Sequence, residues 1–121
     1  MTDEELQTLI RNACKAAGWR IKSIGPDMHD SSSFCAVVLI DDAPVIVRLA
    51  DDDGDSRALQ VDCKIALNFE VIGGELCAEA YSVDTAESMC VCSYEQLKDD
   101  DRKAARMAVL RCAGMIGELM E

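Results

Sequence analysis

Apolar residues recur at helical spacing from the start of the chain. Leu6, Leu9, Ile10, Ala13, Cys14 and Ala17 fall on one face, while Glu4, Gln7, Arg11 and Lys15 lie elsewhere. Thr2 and Glu5 form an S/T-x-x-E capping box ahead of this stripe, and Gly18 follows it as a left-handed stop. The pattern predicts a helix over residues 3–17.

The pattern then changes to strands. Trp19 to Ile24 is a short candidate, closed by Gly25-Pro26-Asp27, and a polar loop from Pro26 to Ser33 leads into the apolar run Phe34 to Ile40. Asp41-Asp42-Ala43-Pro44 turns the chain into Val45 to Ala50, which the acidic loop Asp51 to Ser56 follows. Leu59, Val61, Cys63, Ile65, Leu67 and Phe69 alternate with Gln60, Asp62, Lys64, Ala66, Asn68 and Glu70, a period of two that predicts one long strand with a dry face. That face is expected to be buried with Leu6, Ile10 and Ala13. Gly73-Gly74 suits a tight hairpin turn into Leu76 to Val83, and Glu87 to Cys92 reads as a last strand.

Helical spacing returns at the end. Ser93 with Gln96, or Asp99 to Asp101, offers a cap. Beyond it Ala105, Ala108, Val109, Cys112, Ala113, Ile116, Leu119 and Met120 occupy an arc too broad for one sheet face to cover. Within that arc Val109, Ile116 and Met120 can share a stripe beside that of Ala105, Ala108, Cys112 and Leu119, and this stripe is the candidate interaction surface.

Together these segments predict one α+β domain over residues 1–121. Short loops favour an antiparallel β-meander of about five to six strands, because parallel neighbours need long crossovers. The N- and C-terminal helices are expected on one face of it.

Composition narrows the function. Twelve basic residues against twenty-three acidic ones give a formal charge of −11, a surface that repels phosphate backbones and disfavours nucleic-acid binding. No apolar run approaches the ~20 residues of a membrane helix, and no membrane association is expected. The opening Met1-Thr2-Asp3-Glu4-Glu5 is acidic where a secretion signal is basic and then apolar, so a cytoplasmic location is expected. Seven cysteines, an odd number inside apolar patterns, read as reduced thiols that pack as small hydrophobes.

The motifs that could carry chemistry are incomplete. Asp51-Asp52-Asp53-Gly54-Asp55 places carboxylates like those of a calcium loop, but Ser56 stands where that loop needs glycine and strands are expected on both sides. Cys90 and Cys92 put two thiols on one strand face, short of the four ligands of a zinc site, with Cys77 a possible neighbour. His29, with Asp27, Asp30 and Ser31 to Ser33, makes a hydrolytic constellation imaginable but has no nucleophile elbow or phosphate loop beside it. No enzyme activity, cofactor or metal is expected.

A capped amphipathic N-terminal helix, an antiparallel sheet and an amphipathic C-terminal helix in a small acidic chain resemble the type III secretion chaperone-like fold, including the YbjN-type bacterial proteins. That fold also carries a helix among its strands, where this sequence reads as the loop Asp51 to Ser56. The resemblance implies a non-catalytic protein-binding domain, chaperone-like or regulatory, acting as a homodimer on a client protein. Two other classes remain open from the sequence. One is an acidic nucleic-acid mimic of the phage inhibitor type, and the other is a small metal-dependent or hydrolytic enzyme.

Overall fold

The computed structural model describes residues 2–26, 34–83, 92–97 and 100–120. Among these the element order is α1 (Asp3–Ala17), β1 (Arg20–Pro26), β2 (Phe34–Ile40), β3 (Ala43–Val47), α2 (Asp53–Cys63), β4 (Ile65–Ile72), β5 (Glu75–Ser82), β6 (Cys92–Gln96) and α3 (Asp101–Leu119). The α+β class is as expected. The single meander is not: the six strands divide into two antiparallel sheets, β1-β2-β3 and β4-β5-β6.

Helix α1 forms as its caps dictate. The Thr2 hydroxyl accepts from the Glu5 amide at 3.1 Å, the Glu5 carboxylate accepts from the Thr2 amide, and Gly18 at φ 77° closes the last turn onto Cys14 and Lys15. Ile10, Ala13 and Cys14 are its buried residues.

The acidic loop and the first half of the expected long strand are instead α2. Residues 56–63 satisfy two periods at once, since Leu59, Val61 and Cys63 alternate, but Ser56, Leu59 and Cys63 also stand three and four apart. The ends decide between them. Asp52 caps the helix by accepting from the Asp55 amide at 2.8 Å, and Asp53 and Asp55 favour its positive end. Lys64 at φ 55° ends it in the left-handed conformation, with its amide on the Gln60 and Val61 carbonyls. The helix buries Ser56, Leu59 and Cys63 and leaves Val61, 58% exposed, on the opposite side. Val61 therefore does not share the dry face proposed for it.

Strand β4 begins after that kink. Gly73 and Gly74, both at positive φ, make the two-residue turn into β5 that their type allows, so that Ile72 pairs with Glu75. Asp41 and Asp42 adopt the same unusual signs between β2 and β3, at φ 51° and 65°. Ser93 to Gln96 lie in β6 rather than capping a helix, and the cap of α3 is Asp100, which accepts from the Lys103 amide at 3.0 Å. Of the strand expected over Glu87 to Cys92, only Cys92 falls within the described residues.

The core joins both sheets to the helices. α1 packs on β1 and β2, α3 packs on β4, β5 and β6, and the two helices lie against each other. Their approach is close because α3 carries glycine at the crossing. A Cβ at Gly117 would fall 1.8 Å from the Asn12 carbonyl oxygen, and one at Gly114 would fall 2.2 Å from the Leu9 Cδ1 atom. The expectation of both helices on one face of one sheet is thus replaced by a helix pair with a separate sheet behind each member.

Candidate interaction surface

The broad apolar arc of α3 is largely satisfied within the chain. Ala104, Ala108, Val109, Leu110, Cys112, Ala113, Gly114 and Gly117 are buried, some against α1 and some against the second sheet. Val109, the first member of the candidate stripe, is 1% exposed and belongs to the core. Ile116 is half-buried and packs on the core, while Met120 is exposed. The three residues therefore do not form one open stripe on the monomer. The large apolar side chains that α3 leaves to solvent, Met115, Leu119 and Met120, lie towards its C-terminal end, where the Lys15 ammonium donates to the Met120 carbonyl at 2.8 Å.

A second apolar surface lies on the β4–β5 hairpin. Alternation puts Ile65, Leu67, Phe69 and Val71 on one face, and the register places Ser82, Ala80, Ala78 and Leu76 opposite them. Near α2 this face is dry: Ile65, Ala78 and Ala80 are buried. Helix α3 crosses at the row of Ala78 and Glu95, where Arg111 is ion-paired to Glu95. Phe69 sits in the same row but on the outer strand, and Val71 and Leu76 lie one row further out. Phe69 is consequently 52% exposed, Val71 66% and Leu76 about half. The hairpin outruns the helix that covers its base.

The sequence-predicted chemistry is dispersed or already engaged. Asp55 accepts from the Arg48 amide at 2.8 Å, and Asp53 receives the Arg106 guanidinium at 2.6 Å while that side chain also donates to the Ala50 carbonyl. These carboxylates tie α2 to the segment before it and to α3, while Asp52 caps the helix; they do not converge as a calcium loop. Asp62 accepts from the Trp19 indole at 2.7 Å, which fastens α2 to the end of α1. His29, Asp27, Asp30, Ser31 to Ser33 and Cys90 lie outside the described residues. No group of three or more His, Cys, Asp or Glu side chains placed to hold a metal ion occurs among the described residues.

The thiols behave as packing groups. Burial pushes Cys14 up to about 11, against a small opposing pull from Arg11, and burial together with Asp62 and Cys14 pushes Cys63 up to about 12. At neutral pH both are protonated and therefore poor nucleophiles or metal ligands. On the outer face of the second sheet Glu79 is held above the usual carboxylate range, first by a hydrogen bond with Glu70, and Cys92 donates weakly to Glu79 at 3.9 Å.

Sequence reasoning missed three features of this surface. The Asp52-x-x-Asp55 cap was a readable sign of α2, and Gly114-x-x-Gly117 a readable sign of a close helix neighbour. The overhang of Phe69 and Val71 left no sign, since it depends on where α3 ends its contact with the sheet. No helix among the described residues is long and apolar enough to cross a membrane. Comparison with known proteins finds no matching family model, no matching curated protein and no matching solved structure.

Proposed function

We propose that the chain is a non-catalytic protein-binding domain, chaperone-like or regulatory, that acts as a cytoplasmic homodimer. The observation that carries this reading is the pair of open apolar surfaces, Phe69, Val71 and Leu76 on the hairpin and Met115, Leu119 and Met120 on α3, in a chain of charge −11. Monomeric proteins rarely leave such clusters wet, because covering them gains roughly 25 cal/mol for each Å². The abundant carboxylates elsewhere keep the chain dispersed and would steer a basic partner. Helix α2 also supports the chaperone-like reading, since it stands among the strands where the resembled fold carries a helix. That support is an analogy of fold and carries no residue roles.

Light scattering on the purified chain tests the reading. The expected result is twice the chain mass at tens of micromolar, reduced by the paired substitution Leu119→Glu and Met120→Glu or by charge on the hairpin, with the circular dichroism of each subunit intact. A chain that remains monomeric at that concentration contradicts it.

A further inference from the structure

Both sheets end in edge strands, and an edge presents a row of unpaired amides and carbonyls to any strand that can reach it. Two of the four edges found among the described residues are blunted. Strand β1 is broken by a bulge between Ile21 and Ser23, carries Arg20 and Lys22, and ends at Pro26. Strand β3 has five residues, contains Pro44, which has no amide to donate, and follows Asp41 and Asp42. Strand β6 is described over Cys92–Gln96 and packs against α3.

Strand β4 has none of the devices of β1 and β3. It runs for eight residues, Ile-Ala-Leu-Asn-Phe-Glu-Val-Ile, in unbroken register with β5, without proline, glycine or lysine. Its far edge pairs with no other strand among the described residues. The same strand carries Phe69 and Val71 past the reach of α3.

We propose that a second copy of this chain pairs with β4 at this edge, antiparallel, about a two-fold axis normal to the sheet. The proposal rests on the homodimer reading above and assigns its contact. Self-complementarity selects the occupant. An axis normal to the sheet keeps the same face of both copies on the same side, so directly opposed residues have equal parity. For the strand to overlap itself most fully, either Asn68 or Phe69 must lie at the axis. With Asn68 there, Leu67 opposes the partner's Phe69, and Ile65 the partner's Val71. With Phe69 there, it opposes the partner's Phe69, and Leu67 opposes the partner's Val71. Apolar side chains meet apolar ones in both registers, and the overhanging residues gain the cover that α3 does not give.

Charge agrees. Glu70 is the strand's one charged residue, and it falls opposite the partner's Ala66 or the partner's Asn68, never opposite its own copy. Elsewhere the surface is rich in carboxylates, at the start of α1, at Asp41 and Asp42, and at both helix caps, where two copies would repel each other.

Site-directed cross-linking tests the contact. Asn68→Cys and Phe69→Cys are prepared separately, oxidised mildly and compared with the wild type, whose own cysteines set the background. Opposed Cα atoms in an antiparallel ladder lie about 4.5–5.5 Å apart, within disulfide reach. One of the two variants is expected to yield a covalent dimer, whereas Val71→Cys, displaced from its own copy in either register, does not. Separately, Phe69→Lys with Val71→Lys should raise the dimer dissociation constant about tenfold or more, because each change is repeated in both copies. Both side chains are exposed, so circular dichroism should show the subunit fold retained. A wild-type dimer that neither cysteine traps and the lysine pair does not weaken overturns the β4 contact and leaves the homodimer reading standing. A wild-type monomer overturns both.

Discussion

Helix α3 and the β4–β5 hairpin both carry more apolar surface than a single neighbour can cover, and they resolve it differently. The helix is enclosed on two sides, by α1 through Gly114 and Gly117 and by the second sheet, and Val109 is buried in the core. The hairpin is enclosed at its base alone. Ile65 is buried and Val71, six residues along the same face, is two-thirds exposed. An excess of apolar positions is therefore evidence for cover, but it does not say whether the cover comes from the same chain or another.

The sharpest way to break this comparison is to put one charge at each end of β4. Ile65→Asp should bury an unpaired carboxylate and cost several kcal/mol, about 4 or more, enough to unfold a small domain. Val71→Asp should leave the melting of the isolated subunit almost unchanged. Equal thermal shifts for the two variants would contradict the division of the strand into a buried base and an open end.

The glycine crossing comes next. Gly117→Ala drives a methyl group into the Asn12 backbone, which cannot turn aside as a side chain can. A loss of about 3 kcal/mol is expected, seen as a fall in Tm of roughly 10–20 °C. Gly114→Ala meets the tip of Leu9, which can rotate, and should cost about 1 kcal/mol. If Gly117→Ala melts like the wild type, α1 does not lie against α3 as described.

Alkaline titration probes the same core more gently. Cys14 and Cys63 are raised in the folded chain from the ordinary 9.0 to about 11 and about 12, first by burial. A thiol raised on folding stabilises the fold fully below its unfolded value, and that contribution is lost as pH rises towards the folded value. Stability should hold up to about pH 9 and then decline towards pH 11–12, with Cys14→Ala and Cys63→Ala flattening that decline. A denaturation midpoint that does not move between pH 9 and 11 would argue against buried thiols.

Much of this architecture was legible in the chain. Thr2 and Glu5 gave the first helix, Phe34 to Ile40 the central strand of the first sheet, and Gly73-Gly74 the hairpin, because each is decided by local chemistry. The segment from Asp51 to Phe69 misled because its alternation fits a strand while Ser56, Leu59 and Cys63 also fit a helix. Only the Asp52 cap and the left-handed Lys64 separate the two. The candidate stripe was misjudged for another reason. Val109 is covered by contacts distant in sequence, and no period in α3 itself could reveal that α1 would cross at Gly114 and Gly117.

The smallest expected effect sharpens that lesson. Val61 projects from α2 into solvent, so Val61→Gln should change stability by less than about 0.5 kcal/mol. In a continuous strand with Val61 on the dry face, the same change would cost far more.

Amide hydrogen exchange on the wild-type chain, followed across a dilution series, tests the central claim most directly. If two copies join at β4, the edge amides of residues 65–72 that do not bond to β5 are protected at high concentration and lose that protection on dilution, while amides of β1 and β3 do not respond. Edge amides of β4 that exchange at one rate at every concentration would contradict the account.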